Sequence, residues 1–269
     1  MIDRKYFDPF VYWRKIKNLA VKLLLETSIS VKTVTRIDGY KITFVANSYL
    51  EYIFRAQKSF HREKVTMHWL RDVVQPNDVI YDIGANVGAY SLYAGYKVKD
   101  SGGRVYAFEP AFFNFFSLSR NIEANLLNEI VIPYPVALGR DTREAKFFLS
   151  DTIAGSALHG VGRAESEGKE FEAKFLQGVF VTTLDEFCGH SGVSFPNHIK
   201  IDVDGTESDI VSGMQTTMND YKLKSVMIEI DRDVSHGDIE ARLVDSGFQE
   251  VKAEKWVGKN TFNKLFVRL

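Results

Sequence analysis

Val79-Ile80-Tyr81-Asp82-Ile83-Gly84-Ala85-Asn86-Val87-Gly88 is the stretch that decides the fold. An apolar, β-branched run stops at a loop of small residues, and helix-forming sequence follows at once. That order predicts a buried strand feeding a tight turn into a helix, where nucleotide-like ligands sit in α/β sheets. The spacing also excludes something. A dinucleotide fingerprint needs glycine where Asn86 and Ala89 stand, because a pyrophosphate approaches the backbone closely there. A nucleoside ligand with a small zwitterionic tail suits this loop better. Gly84 is then expected to be glycine because a side chain would fill the space of that tail.

The next strand, Arg104-Val105-Tyr106-Ala107-Phe108-Glu109-Pro110, ends in an acidic residue 25 positions after Gly84. A carboxylate there can accept hydrogen bonds from both ribose hydroxyls and would repel a 2′-phosphate. Loop and carboxylate together point to S-adenosylmethionine. The plainer alternative is a helix start that needed small residues, beside a surface glutamate.

From residue 79 onward strands and helices alternate, which predicts an α/β fold with a mostly parallel sheet and helices on both faces. Strands are expected near 79–83, 104–108, 130–137, 198–203, 225–230, 247–252 and 263–268. Helices are expected near 88–98, 112–126, 207–218 and 237–246. The rhythm breaks at about 140–182, where two alternating runs bracket a Gly/Ser/Glu-rich segment, 154–169. An insertion forming a β-ribbon and a mobile loop over the active face is expected, since long unstructured loops are often lids.

Residues 1–58 read as an extension before a main domain of residues 59–269. Phe10, Trp13, Ile16, Ala20 and Leu23 recur at helical spacing, and Arg14, Lys15, Lys17 and Lys22 occupy the other faces. Such a basic amphipathic helix packs on the main domain or on a second subunit of a homo-oligomer, or lies on a membrane surface. The packed flap is the plainer choice. A hairpin turning at Asp38-Gly39 follows, then a helix over 59–74.

Bulk properties narrow the class. The 269 residues are 45% hydrophobic, enough for a substantial core, and the net charge of −1 gives no reason to expect nucleic acid. Cys188 is the single cysteine, so an intramolecular disulfide and a cysteine-rich zinc site are both excluded. The N-terminal apolar residues are broken by basic ones, unlike a signal peptide, and a cytoplasmic protein is expected.

At the predicted strand ends, carboxylates gather: Glu109, Asp202 and Asp231, with Asp204, Glu207 and Glu229 close by. Glu207 opens a helix, where an acid is favoured by the dipole alone. Asp202 has no such reason, and is the candidate to orient or deprotonate an acceptor hydroxyl. His236, past the fifth strand, is the second catalytic candidate, as an imidazole base. Asp202 and Asp231 could instead ligate a divalent cation; no metal is the expectation.

Four blocks carry a family resemblance. They are Asp82-Ile83-Gly84-Ala85-Asn86-Val87-Gly88, Phe108-Glu109-Pro110, Val181-Thr182-Thr183-Leu184-Asp185, and Ile199-Lys200-Ile201-Asp202-Val203-Asp204-Gly205-Thr206-Glu207. In this order they resemble the signature blocks of FkbM-type methyltransferases, and Asn263-Lys264-Leu265-Phe266-Val267-Arg268 is similar too. The resemblance implies a class I methyltransferase, Rossmann-like fold of seven strands, the last antiparallel. It also implies O-methylation of sugars, glycoconjugates or secondary metabolites, with Asp82, Gly84, Asn86, Gly88 and Glu109 binding the cofactor. Asp204 departs from the family's more usual glutamate. Two rivals remain at this stage: a nicotinamide-dependent oxidoreductase, and a non-catalytic adenosyl-binding or scaffold subunit.

Overall fold

Ile80 and Val105 point to one face of a central sheet, and their neighbours Tyr81 and Tyr106 to the other, as the two-residue period of strands requires. Both faces are buried, so these strands are mostly apolar. The computed structural model describes residues 9–27, 29–234 and 238–269, with side chains from Trp13 onward. It begins with helix α1 (Pro9–Glu26) and the antiparallel hairpin β1 (Val31–Ile37) and β2 (Tyr40–Ala46). Helical turns follow over Glu51–Lys58, α2 (Ser59–Arg62), α3 (Lys64–His68) and Trp69–Val73. They begin eight residues before the expected helix over 59–74.

The alternating part runs β3 (Val79–Ile83), α4 (Ala89–Val98), β4 (Arg104–Phe108), α5 (Phe112–Ala124) and β5 (Val131–Tyr134). A second, four-stranded sheet then forms from β6 (Ala137–Leu138), β7 (Arg143–Leu149), β8 (Gly160–Val161) and, after the small ribbon β9 (Glu165–Ser166) and β10 (Lys169–Glu170), β11 (Phe175–Thr182). The main sheet resumes with α6 (Leu184–Cys188), β12 (His198–Ile201), α7 (Glu207–Ser212), α8 (Gln215–Asn219) and β13 (Ser225–Asp231), and closes with α9 (Ile239–Asp245), β14 (Phe248–Lys255) and β15 (Thr261–Arg268).

Seven strands lie in the order β14-β15-β13-β12-β3-β4-β5. All neighbours are parallel except β15, which is antiparallel to both β13 and β14. This is the class I methyltransferase arrangement, with β12 beside β3 at the point where the chain reverses direction across the sheet. One core, around Trp69, Leu92 and Leu118, fills one face, and another, around Tyr81, Phe108 and Phe187, fills the other. Each such large apolar side chain stabilises the fold by about 1.5–3 kcal/mol.

Two expected elements are divided. The strand over 130–137 stops at Tyr134 because Pro135 lacks an N–H, and Ala137–Leu138 pairs with β11 instead. Pro133 is tolerated because β5 is an edge strand. The helix over 207–218 breaks at Gly213, where a Cβ would lie 2.0 Å from the Gly139 carbonyl oxygen. The hairpin joins the body of the molecule: Ile42 and Phe44 enter the first core, Asn125 just past α5 accepts the N–H of Thr43, and Asn121 of α5 accepts that of Val45.

Candidate functional site

The β3–α4 turn has left-handed backbone at three positions, Gly84 (φ 80°), Asn86 (φ 52°) and Gly88 (φ 88°). The N–H groups of Gly84 and Ala85 both donate to the Phe108 carbonyl, which ties the turn to the end of β4. A Cβ on Gly84 would lie 1.9 Å from the Asp202 carbonyl oxygen, and one on Gly88 would lie 2.5 Å from Leu118. Gly84 is therefore glycine because β12 passes beside it. The space expected to be kept for a ligand tail is not where its side chain would go. Contact with β12 is the physical reason.

Around this turn opens a cavity of about 790 Å³, counting the solvent at its mouth. Phe108, Val136, Leu138, Phe147 and Val161 form an apolar wall. Arg55, Asn86, Glu109, Asn114, Asp202 and Asp204 form a polar one. Of the residues expected from sequence, Gly84, Asn86, Glu109 and Asp202 line this cavity. Asp82 and Gly88 lie behind it and shape the strand and the turn. His236 lies outside the described residues.

Glu109 is 5% exposed, and its two oxygens accept the N–H of Asn86 (2.8 Å) and of Ala111 (2.8 Å). Burial pushes its carboxyl up to about 7, against the pull of those two donors. The Asn114 amide also hydrogen-bonds this carboxylate, and the lone pairs left over are what a vicinal diol would use. The cavity is polar at this edge and apolar at Phe108 and Leu138.

Next to it, the parallel register sets Lys200 of β12 against Asp82 of β3. The buried Lys200 ammonium lies 2.6 Å from Asp202 Oδ2, 3.8 Å from Asp82 Oδ1 and 5.3 Å from the centre of the Tyr90 ring. Burial acts against its charge, but Asp202, Asp82 and Glu63 outweigh that and hold it charged. Asp82 also accepts from Ser91 Oγ at 2.5 Å, while its other oxygen has no hydrogen-bond partner. Burial raises its carboxyl despite Lys200. Burial and the Asp202 charge likewise push Asp204 up to about 6 and Glu63 up to about 7, and raise Glu229. An excess of carboxylates over ammonium makes this a cation-favouring place.

The insertion crosses the cavity, and it is fastened there. Asn86 Nδ2 and Asn114 Nδ2 both donate to the Ser156 carbonyl, and the Arg55 guanidinium donates twice to the Gly155 carbonyl. Leu158 N–H (2.5 Å) and His159 N–H (3.3 Å) donate to Asp204 Oδ2. Burial pushes the His159 imidazole down to about 4, so it stands neutral at the wall.

Asn114 had a sequence signal, a single amide within Phe112-Phe113-Asn114-Phe115-Phe116. Arg55 and His159 had none. The block Val181-Thr182-Thr183-Leu184-Asp185 does not reach the cavity. Thr183 Oγ1 caps α6 by accepting the Glu186 N–H, and Asp185 accepts the N–H of Thr216 and Thr217 at the start of α8. Asp231 is also engaged elsewhere, by Asp233 N–H and Thr261 Oγ1. Among the described residues, no three His, Cys, Asp or Glu gather as a metal site would need.

Known proteins give the same picture. The methyltransferase FkbM domain matches residues 82–250. The hexuronic acid methyltransferase AglP of Haloferax volcanii is 26% identical over 227 residues, 84% of this chain and 86% of that protein. The 31-O-demethyl-FK506 methyltransferase FkbM of Streptomyces tacrolimicus is 25% identical over 252 residues, covering 82% of this chain and 90% of its own length. A crystal structure of methyltransferase FkbM from Methylobacillus flagellatus superposes with a TM-score of 0.51 at 16% identity, over 72% of this chain and 44% of that one. The oxidoreductase and scaffold readings fall with these matches. Since the domain match runs from the penultimate residue of β3 into β14 and takes in more than half of the sequence, this chain belongs to the FkbM family of S-adenosylmethionine-dependent methyltransferases.

Proposed function

We propose that this methyltransferase acts on oxygen, placing the methyl group on a hydroxyl of a saccharide, a glycoconjugate or a related secondary metabolite. The observation that carries the reading is Asp202, a carboxylate held against a buried ammonium, opening into the same cavity as Glu109. S-adenosylmethionine supplies an electrophilic methyl on a sulfonium. Glu109 accepts the ribose hydroxyls, Phe108, Val136 and Leu138 flank the base, and the carboxylates around Lys200 favour the cationic end.

Lys200 determines what Asp202 can do. The Lys200 ammonium, 2.6 Å from Oδ2, fixes the Asp202 carboxylate as an acceptor. Asp202 therefore orients the acceptor hydroxyl and stabilises the positive charge that grows on its oxygen as the new bond forms. Asp204, pushed up to about 6, is matched to receive the departing proton. Ser156 and His159 of the fastened insertion cover one side of the cavity. Most of the acceleration in such a displacement comes from positioning.

The acceptor class draws on the relatives: one is named for a hexuronic acid and the other for 31-O-demethyl-FK506, both rich in oxygen. The test is a screen of nucleotide sugars, oligosaccharides, uronic acids and polyols with methyl-labelled cofactor. Label is expected on a hydroxyl oxygen of a saccharide, located by mass spectrometry and NMR. Transfer confined to nitrogen or carbon acceptors would overturn the reading.

A further inference from the structure

Helix α1 leaves most of its apolar surface uncovered. Val21 and Leu25 turn toward the hairpin, where they pack with Ala46, Tyr52 and Ile53. Trp13, Ile16, Leu19, Leu23 and Leu24 are each between 44% and 68% exposed. With ~3.6 residues per turn, these five share one stripe, on the side away from Val21 and Leu25. Exposed Lys17 borders the stripe on one side, and exposed Lys15 and Lys22 border it on the other. A contiguous apolar surface of this kind marks a protein partner or a membrane.

Charge separates the two. Residues 1–58 hold eleven Lys and Arg against five Asp and Glu, in a chain whose net charge is −1. Interfaces between proteins are poor in lysine, whereas lysines beside an apolar stripe suit a bilayer, because their stems lie on it while the ammonium groups reach phosphate. Glu26 is the one acid of the helix, and it is spent on Lys22 at 3.7 Å. No described helix is long and apolar enough to cross a membrane. The docking side is also joined to the site. Tyr52 and Ile53, which receive Val21 and Leu25, belong to the same helical turns as Arg55, which holds Gly155 at the cavity.

We infer that α1 lies on an anionic phospholipid surface, with its apolar stripe between headgroups and acyl chains and its lysines on the phosphates. The inference stands whatever the acceptor is. The full chain is mixed with vesicles of equimolar phosphatidylcholine and phosphatidylglycerol, and with vesicles of phosphatidylcholine alone, and sedimented. Binding to the anionic vesicles is expected to be at least ~10-fold stronger and to fall with added salt. Trp13 fluorescence is expected to shift to the blue with anionic vesicles, a shift lost in Trp13→Phe. The double variant Ile16→Glu/Leu23→Glu and the charge variant Lys15→Glu/Lys17→Glu should each lose binding while keeping the parent's melting temperature. Should the first variant fold poorly, the second and the Trp13 signal still decide. Equal binding to both vesicle types, or full binding by a folded variant, would overturn the inference. So would a dimer in sedimentation equilibrium that Ile16→Glu/Leu23→Glu dissolves while vesicle binding is absent, since a second copy would then cover the stripe.

Discussion

The two ends of the same sheet bury charged groups in opposite ways. At the amino end, Trp69 Nε1 donates to Ser225 Oγ, which meets His198 Nδ1 at 2.7 Å, and His198 Nε2 meets Asp78 Oδ2 at 2.7 Å. Lys224 donates to the other Asp78 oxygen at 2.6 Å. Burial acts against the Asp78 charge, yet His198 and Lys224 hold its carboxyl well below the usual range. At the carboxyl end, Glu109, Asp204, Glu63 and Glu229 are all raised, and one Asp82 oxygen has no hydrogen-bond partner. A matched network stabilises a fold. Carboxylates that outnumber their cations cost stability and persist where a cation or a diol completes them.

The linkage runs in opposite directions as well. Asp78, lowered on folding, contributes stability above its unfolded value near 4, and this is lost as pH falls through the folded value. Glu109 and Asp204, raised on folding, do the reverse. Their contribution is greatest in acid and is lost as pH rises from about 4 toward about 6–7.

Gly84→Val should give the largest effect, because it forces a branched side chain into the Asp202 carbonyl at positive φ. A loss of about 4–5 kcal/mol is expected, enough to remove most folded protein. Circular dichroism and melting show it. A well-folded Gly84→Val protein would mean that β12 does not press on the turn.

Asp202→Asn removes charge but keeps shape. Turnover is expected to fall ~10²-fold, the scale for losing the positioning of a reacting group, with S-adenosylhomocysteine affinity within a few-fold of the parent. Measuring kcat and melting temperature on one preparation separates chemistry from stability. A destabilised variant with full turnover per folded molecule would reduce Asp202 to a partner for Lys200. At the opposite end, Asp78→Asn should cost roughly 2–3 kcal/mol of stability, the scale for a buried group left without its charged partner. Its cofactor affinity should not change. A shift in affinity would mean that the two ends are coupled.

How far the sequence reaches follows from the same contrast. Strands β3, β4 and β12 were legible because burial on both faces demands continuous apolar runs, and the turn because small residues interrupt them. Glu109 and Asp202 were legible as acids at strand ends. The Lys200–Asp82 pairing was not, since it depends on the register between two strands 118 residues apart. Arg55 and His159 come from a helical turn and an insertion loop that carry no motif, and only the folded chain brings them to the cavity. Gly213 looked like an ordinary helical position until Gly139 was found against it.

The central claim is that the raised carboxylate at the end of β4 holds the cofactor's ribose. Calorimetric titration with S-adenosylhomocysteine, on the parent and on Glu109→Gln between pH 5.5 and 8, tests it most directly. Ribose hydroxyls are best bound by the ionised form, so parent affinity should rise as pH passes upward through about 7 and then level off. Glu109→Gln should bind roughly 1.5–3 kcal/mol more weakly at pH 8 and lose that rise. Unchanged affinity, with the same pH dependence in both proteins, would contradict the claim and move the ribose away from Glu109.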